Sequence, residues 1–344
     1  MVKIALNVAH QANTSQAHNW WKMADRSGVN VIAIADSPTL MRDVYVHLAV
    51  CAGMTKNATL MTGVTNPISR DPSVTACALF TLNEIAPGRI VLGIGSGDSA
   101  IWGIGRRPSS VARMREYILA VKAMLAGQDC YFEGRTFKAR WANYEPPVHI
   151  PVVVAVSGPK TLRMACEVAD GALLSMGCGS ENVTYINGII NDSCAEFGRS
   201  RSELDLWWNS EIVFGASYEL AKSKGIGVGT NWLTMGTLEG KQIPNEFKDA
   251  VVAFNNDSQN IESEYQTEGR ETALIYRAKK YGIYDWLMSR APGLWGPPDL
   301  IAKRLLELES QGLDKWMFYV GRNPSEQNEH IRLICEEVIP RIKK

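Results

Sequence analysis

The 344-residue chain lacks the features that mark several classes of protein. Lysine plus arginine equals aspartate plus glutamate, 36 against 36, so the charge balance does not indicate nucleic acid or an anionic membrane as a partner. The seven cysteines form no CxxC pair, and the five histidines have no metal-ligand spacing. From the first residues we expect no secretory leader, and the sequence contains no apolar run of membrane-spanning length. We expect a cytoplasmic enzyme that acts on a small organic molecule and binds no metal.

Short apolar and β-branched runs recur along the chain, separated by segments with helical periodicity. Eight such runs are present, at residues 2–9, 29–35, 58–64, 89–95, 150–156, 171–175, 204–215 and 313–320. Runs that are apolar throughout are typical of strands buried on both faces, as in parallel sheets. The count and the alternation favour a closed α/β fold, a (β/α)8 TIM-like barrel, with an open doubly wound sheet as the alternative.

Residues 222–295 interrupt this alternation. The segment is rich in glycine, asparagine, tyrosine and charge, and it is too long for an ordinary connection between a strand and a helix. In a barrel it would follow the seventh strand and lie at the carboxyl-terminal face, where active sites form. We interpret it as a helical insertion that covers the site. No linker-like composition divides the chain, so residues 1–344 are expected to be one domain.

A glycine-rich segment follows the fourth run, with Ser96 and Gly97 at its end. Glycines allow a backbone to approach a ligand closely and allow amides to point at an anion. However, Asp98 replaces the third glycine of a dinucleotide fingerprint, and the segment does not follow the first strand of a βαβ unit. A nicotinamide site is therefore disfavoured. Two interpretations of this segment are left: a tight turn at the barrel rim, and a contact with a cofactor.

Two other strand ends combine glycine and proline with polar residues. The segment from Thr62 through Gly63, Val64 and Asn66 ends the third run, and the prolines that follow force an irregular backbone, either a stiff loop or a ligand clamp. The segment Ser157-Gly158-Pro159 precedes a helix whose free amides suit a phosphate, although an ordinary connection explains it equally well.

Two ionisable residues also close strands. Asp36 ends the second run, where it suits either contact with a cofactor ring or capping of the next helix. His10 ends the first run and should face the barrel mouth, whereas His18 and His47 lie on helices and are expected to be packing or surface residues.

At these residues the chain resembles the luciferase-like superfamily, and within it the methylenetetrahydromethanopterin reductase branch. The resemblance covers nearly the whole chain and fades over the insertion. It rests on Gly63-Val64-Thr65-Asn66-Pro67 with Arg70 and Pro72, on Leu92-Gly93-Ile94-Gly95 with Gly97-Asp98, on Ser157-Gly158-Pro159, on Ala169-Asp170-Gly171-Ala172 and on Gly296-Pro297-Pro298.

The resemblance implies a TIM-like barrel with a flavin or deazaflavin across its mouth. It also implies a non-proline cis peptide behind the ring, which in this chain is the bond between Gly63 and Val64. The cofactor-binding residues it implies are Asp36, Gly63, Val64, Ser96, Gly97, Ser157, Gly158, Pro159, Ser175, Met176 and Gly177, with the phosphate near the last six.

Two departures from the family pattern bear on the cofactor. Ser37 stands where many deazaflavin members have histidine, and Ser96 stands where many FMN members have arginine. We favour reduced FMN, because it occurs in more cell types. The chain would then be a two-component monooxygenase that uses O2 and FMN from a separate flavin reductase. Its catalytic residues would be His10, Thr62 and Asn66.

Two alternatives stay open. The first is hydride transfer with the deazaflavin coenzyme F420, and the second is a non-catalytic flavin-binding homologue. In every case we expect a homodimer or a higher homo-oligomer, and no nucleic acid or membrane as a partner.

Overall fold

Eight parallel strands close into a barrel in which each pairs with its neighbours in the chain. The computed structural model describes residues 1–8, 14–142, 147–226, 231–257, 270–320 and 324–343. The strands are β1 (Lys3–Val8), β2 (Val31–Ile34), β3 (Thr59–Thr62), β4 (Ile90–Ile94), β5 (Val152–Val156), β6 (Gly171–Leu174), β7 (Asp205–Glu211) and β8 (Lys315–Tyr319). Pairing of β8 with β1, from Lys3–Lys315 to Asn7–Tyr319, closes the barrel. The predicted barrel is confirmed, and each of the eight runs contains one of these strands.

Helices cover the outside of the barrel and follow the strands in sequence. They are α1 (Thr14–Ser27), α2 (Val44–Met54), α3 (Pro72–Ile85), α4 (Val111–Leu125), α5 (Pro159–Val168), α6 (Ser180–Glu196), α7 (Pro298–Ser310) and α8 (Pro324–Leu333). A short helix, Ser99–Trp102, precedes α4, and α8 continues through a π-helical turn, Ile334–Val338, into Ile339–Ile342. Side-chain caps fix several starts: Asp43 accepts from two amides of α2, and Asp71 caps α3 ahead of Pro72.

The barrel interior is filled by one apolar cluster. It consists of Ala5, Val31, Ala33, Met61, Val153, Leu173, Trp207 and Met317. Because side chains alternate between the two faces of a strand, the residues two positions further on also point inward, nearer the carboxyl ends. These are small or polar, among them Asn7, Gly63, Ser175 and Asn209. The barrel is thus plugged below and has a polar mouth.

The insertion after β7 is helical, as predicted, and has an apolar core of its own. Its helices are Tyr218–Lys222, Asn231–Thr234, Asn245–Phe247 (3-10), Lys248–Asn256, Arg270–Lys280 and Tyr284–Ser289. Its core includes Trp232, Val251, Phe254, Leu274 and Leu287, and these residues form a cluster separate from the cluster between the barrel and its helices.

The run at 204–215 does not form a single strand. Only Asp205–Glu211 belongs to the barrel, while Val213–Phe214 pairs in parallel with Trp295–Gly296 where the insertion leaves and rejoins the barrel. An apolar pattern does not reveal which strand will be the partner, so the division was not visible in the sequence. A hairpin of Cys130–Phe132 with Arg135–Phe137 was also not predicted. Within the described residues, no helix has the length and apolar character needed to cross a membrane.

Candidate active site

The end of β3 is shaped by a cis peptide bond between Gly63 and Val64, as the family resemblance implies. The carbonyl oxygen of Gly63 accepts a hydrogen bond of 2.7 Å from Asn7 Nδ2. A Cβ atom at Gly63 would lie 2.8 Å from Ala33 Cβ, closer than real Cβ contacts, and a tight 3.0 Å from Asn7 Nδ2. A larger residue at this position would therefore displace the buried backbone at the end of β3 or the side chains around it.

Thr62 is fully buried and braces β3 against β4. Its hydroxyl donates to Gly93 O at 2.6 Å and accepts from Gly93 N at 2.9 Å. The hydroxyl proton is therefore used in a hydrogen bond to the backbone. The predicted catalytic role of Thr62 stays a prediction, and in this arrangement the hydroxyl has no proton left to donate to a ligand.

Asn66 lies in the loop after β3 with its side chain almost wholly buried. Its Oδ1 accepts from the amides of Ile68 at 2.9 Å and Ser69 at 2.8 Å, which fixes the turn. Its Nδ2 is buried without a hydrogen-bond partner among the described residues. A buried donor without a partner costs roughly 1–3 kcal/mol, so this arrangement suits a ligand that supplies an acceptor.

Three further buried polar atoms near the carboxyl ends of the strands also lack a hydrogen-bond partner among the described residues. They are Asn7 Oδ1, Ser69 Oγ and Asn209 Oδ1. The orientation of Asn209 is set by a 3.1 Å hydrogen bond from its Nδ2 to Ser175 Oγ. Together with Asn66 Nδ2 they give the mouth both donors and acceptors, which fits a polar heterocycle such as a flavin or deazaflavin.

Asp36 is buried in an ion-paired network behind this group. Its Oδ2 accepts from Thr65 Oγ1 and from Arg70, each at 2.6 Å, and Arg70 also bonds to Asp43 at 2.8 Å. Of the two interpretations of Asp36, helix capping is excluded, because Asp43 caps α2. A contact between Asp36 and a cofactor ring stays a prediction.

Burial and hydrogen bonding shift the pKa values of two neighbours in this network. Burial works to raise the pKa of Asp43, but hydrogen bonds from the Val46 amide and from Arg70 outweigh it, so that this pKa is lowered. Burial raises the pKa of Tyr45, whose ring lies 4.9 Å from the Arg70 guanidinium, to about 12. The tyrosine is therefore a neutral phenol at any physiological pH.

The glycine-rich segment after β4 is explained by packing. A Cβ atom at Gly93 would lie 2.0 Å from Thr62 O, and one at Gly97 would lie 2.3 Å from a side-chain carbon of Ile101. Gly97 has φ +93°, and Ser96 O accepts from the Ser109 amide at 2.7 Å. These contacts account for a tight turn at the rim. Cofactor contacts by Ser96 and Gly97 stay predictions.

The amino end of α5 is open, as a phosphate site requires. Gly158 precedes the helix, Pro159 begins it, and no side chain caps it. Among the described residues, a Cβ atom at Gly158 would meet one atom within 4 Å, Cε of Lys241 at 3.6 Å. The predicted segment Ser157-Gly158-Pro159 thus faces a lysine of the insertion, a residue that sequence reasoning missed.

The end of β6 meets a second cation from the insertion. Gly177 has φ +104°, and Arg290 donates from Nη2 to Met176 O at 2.5 Å. The guanidinium lies 4.5 Å from the Trp232 ring and 5.3 Å from the Trp286 ring. Sequence reasoning missed Arg290 as well, because no periodic pattern surrounds it. The only signal was a lone cation in a tryptophan-rich segment.

Two further observations limit the site. His10 falls outside the described residues, so its predicted place at the mouth stays a prediction. Across the described ranges, no group of three or more histidine, cysteine or carboxylate side chains is arranged to hold a metal ion. A cavity of about 590 Å³ lies elsewhere, between the insertion and α7, where Tyr218, Trp295 and Arg304 contribute to its walls; none of the predicted site residues lines it.

Comparison with known protein families identifies the family of this chain. The model of the family described as luciferase-like monooxygenase matches residues 3–315. The chain belongs to this family. The resemblance inferred from the motifs is therefore confirmed.

The curated relatives of this luciferase-like chain are oxidoreductases, and the chain is an enzyme of that class. It is 28% identical over 333 residues to 5,10-methylenetetrahydromethanopterin reductase of Archaeoglobus fulgidus, with 94% of each chain covered. It is 26% identical over 339 residues to F420-dependent glucose-6-phosphate dehydrogenase of Beutenbergia cavernae, covering 93% of this chain and 91% of the relative. The coenzyme F420-dependent tetrahydromethanopterin reductase of Methanopyrus kandleri shares the fold, with a TM-score of 0.73, 21% identity and 99% of each chain covered.

Proposed function

We propose that the chain is an F420-dependent oxidoreductase that transfers a hydride between the deazaflavin and a small organic substrate. The observation that carries the proposal is the group of buried polar atoms without partners at the barrel mouth: Asn7 Oδ1, Asn66 Nδ2, Ser69 Oγ and Asn209 Oδ1. The choice of cofactor is supported by relatives that are named for F420 and align over more than nine-tenths of the chain.

The residues of the mouth divide the work of binding. Asn66 and Asn7 would hydrogen-bond the polar edge of the ring, and Gly63 would contribute backbone to the same side of the site. Asp36 is held in place by Arg70 and Thr65. When bound, the deazaflavin would supply the hydride-transfer chemistry. The insertion covers the site and keeps water out.

The second candidate is the two-component monooxygenase that uses reduced FMN and O2. It is supported by the description of the family as monooxygenases. In that case a separate flavin reductase is the partner that supplies the reduced cofactor. For either candidate we propose a homodimer or higher homo-oligomer in the cytoplasm, which light scattering and cell fractionation would test.

Cofactor titration separates the two candidates without knowledge of the substrate. F420 and FMN, each oxidised and reduced, are titrated into the purified chain, and binding is followed by cofactor fluorescence under anaerobic conditions. We expect F420 to bind at least about tenfold more tightly than FMN, a difference of about 1.4 kcal/mol. Tighter binding of reduced FMN, with O2 consumption upon mixing with air, would instead establish the second candidate.

The variant Asn66→Asp connects this result to the mouth. It keeps the acceptor that fixes the turn and replaces the unpartnered donor, so we expect the fold to persist and the F420 affinity to fall about tenfold or more. Asn83→Asp is the matched control, because Asn83 Oδ1 likewise accepts from a backbone amide, that of Gly88, at a remote loop. An equal loss of F420 affinity in both variants, or no loss in either, would show that the barrel mouth is not the cofactor site.

A further inference from the structure

The cavity of about 590 Å³ between the insertion and α7 is not explained by the site at the barrel mouth. Its walls come from three helices, Tyr218–Lys222, Tyr284–Ser289 and α7, and from the segment that joins the last two. The volume lies within the range of about 300–1,000 Å³ that small-molecule sites occupy in proteins. None of the residues assigned to the mouth lines it, so an occupant would be additional to the cofactor.

One part of the cavity wall is aromatic and apolar. Tyr218, Tyr284 and Trp295 line it together with Met288. The Trp295 and Tyr218 rings pack edge to face, with 5.8 Å between their centroids. Trp295 is 3% exposed, and its indole nitrogen donates to Glu211 Oε1 at 3.3 Å, which helps to fix the ring. Because Tyr218 is 36% exposed, this wall presents an aromatic surface that a further planar ring can contact.

Charged side chains line another part of the cavity, and the cations outnumber the carboxylates. The charged residues are Lys222, Lys303, Arg304, Asp285 and Glu307. Arg304 pairs with Glu307 at 3.1 Å and donates to Pro292 O at 2.8 Å, so the protein itself satisfies this cation. Within the part of the chain that the structure describes, Lys222, Lys303 and Asp285 form no ion pair. Two lysines against one carboxylate leave the cavity with an excess of positive charge.

The aromatic surface and the cations border the same space. Lys222 Nζ lies 5.9 Å from the centroid of the Tyr218 ring. A Cβ atom at Gly293 would lie 4.0 Å from the Tyr218 hydroxyl and 3.8 Å from Arg304 Nε, so the phenol and the side chains of α7 meet at this point. Lys303 is exposed on the same helix. One small molecule can therefore contact the rings with an aromatic group and the lysines with an anion.

We propose that this cavity binds a small planar aromatic molecule that carries a carboxylate or phosphate group. The ring packs on Tyr218 and Trp295, and Lys222 and Lys303 hold the anion. Aromatic carboxylic acids and nucleoside monophosphates share this chemistry and are the two sources of such a ligand. The site is independent of the proposed function, because its residues differ from those of the mouth.

2-Naphthoate and its neutral amide, 2-naphthamide, test the site by calorimetric titration of the purified chain without cofactor. We expect the double variant Lys222→Met, Lys303→Met to weaken naphthoate about tenfold and to leave naphthamide unchanged, because each exposed ion pair contributes up to about 1 kcal/mol. The matched control is Lys22→Met, Lys248→Met, which removes the same charge from exposed helical positions outside the cavity. Absence of naphthoate binding, or equal binding to both double variants, would overturn the proposal.

A second set of variants tests the ring contact and the location of the probe. Tyr218→Ala should weaken naphthoate and naphthamide alike, about threefold or more, because both lose an aromatic contact. Tyr276→Ala is the matched control, since this tyrosine is 71% exposed outside the cavity, and it should change neither affinity. Asn66→Asp at the mouth should also change neither. Loss of binding in Asn66→Asp with full binding in Tyr218→Ala would place the probe at the mouth and overturn the proposal.

AMP and adenosine distinguish the two sources of the ligand, since they differ only in the phosphate. If nucleotides are the source, AMP displaces naphthoate, binds more tightly than adenosine and loses this advantage in the double lysine variant. If aromatic acids are the source, naphthoate binds and AMP does not displace it; either result supports the site. Salt provides a test on the wild-type protein alone, because it screens exposed charges. An increase from 0.05 to 0.5 M NaCl, roughly a threefold decrease in Debye length, should weaken naphthoate and not naphthamide. A naphthoate affinity that is independent of salt would contradict the role of the lysines.

Discussion

Arg70 joins two carboxylates that the chain brings together from different segments. Its guanidinium bonds to Asp36 after β2 and to Asp43 at the start of α2, and the Asp36 side chain is 1% exposed. Removal of one partner from a buried ion pair leaves the other charge without compensation, and this loss exceeds the net contribution of the intact pair. Arg70 is therefore a determinant of local stability and of the position of Asp36.

The variant Arg70→Met should lower the free energy of unfolding by about 3–5 kcal/mol. Addition of Asp36→Asn should recover part of this loss, because the buried carboxylate becomes a neutral amide. Urea denaturation of the three proteins measures both effects. Arg115→Met breaks a partly exposed pair with Glu167 and should cost at most about 1 kcal/mol. If Arg70→Met costs no more than this surface variant, the network behind the mouth does not contribute to stability.

Individual residues show where prediction from the sequence succeeds and where it ends. Asn66 was identified because polar residues at the carboxyl end of a barrel strand point to function. The backbone role of Thr62 was invisible, because its partner Gly93 is on another strand. Lys241 and Arg290 were missed, because the sequence does not show that a cation is buried or that it has no carboxylate partner among the described residues.

At the scale of elements, prediction worked where burial imposes a pattern. Each barrel strand is covered on both faces, so most of its residues are apolar, and the strand is visible in the sequence as an apolar run. The short strand Val213–Phe214 is equally apolar but pairs outside the barrel, and the hairpin at Cys130–Phe132 is too short to give a periodic signal. The helices of the insertion were expected as a group but not individually, because their apolar residues serve a separate core.

The contact between the insertion and α5 makes stability depend on pH. Because burial lowers the pKa of Lys241 from 10.5 to about 8 in the folded protein, the unfolded chain binds more protons between these values. Stability therefore rises as pH increases from about 8 to about 10.5, and the penalty of the buried charge is fully present below pH 8. One unit of pKa shift corresponds to about 1.4 kcal/mol, so the shift from 10.5 to about 8 sets an upper bound of about 3.5 kcal/mol.

The difference in unfolding free energy between wild type and Lys241→Met separates the contribution of Lys241 from that of the other titrating groups. We expect the stability of Lys241→Met relative to wild type to be greatest below pH 8 and to shrink as pH approaches 10.5. Urea midpoints at pH 7, 8, 9 and 10 measure it. A difference that does not vary with pH would show that Lys241 keeps its ordinary pKa in the folded chain.

Besides the cluster inside the barrel, the described residues contain two further large apolar cores, and polar contacts join these two cores. The barrel core runs between the strands and the outer helices, and the insertion core includes Trp232 and Phe254. Across the seam lie Arg290 with Met176 O, Tyr185 with Gly240 O, and Lys160 with Glu239. The sequence pattern does not reveal these contacts, because they join segments that are distant in sequence.

Loosening the insertion core tests whether the two parts unfold together. Phe254 is fully buried, with the Arg277 guanidinium 4.3 Å from its ring, so Phe254→Ala should cost about 3–5 kcal/mol within the insertion. We expect amide hydrogen exchange to accelerate in Lys248–Asn256 and Tyr284–Ser289 and to stay slow in β1–β8, because the insertion core makes a separate cluster. Phe318→Ala in β8 is the matched control and should accelerate exchange throughout the barrel. If Phe254→Ala also accelerates exchange in the strands to the same degree, residues 1–344 form one cooperative unit, and the seam is stronger than its polar contacts indicate.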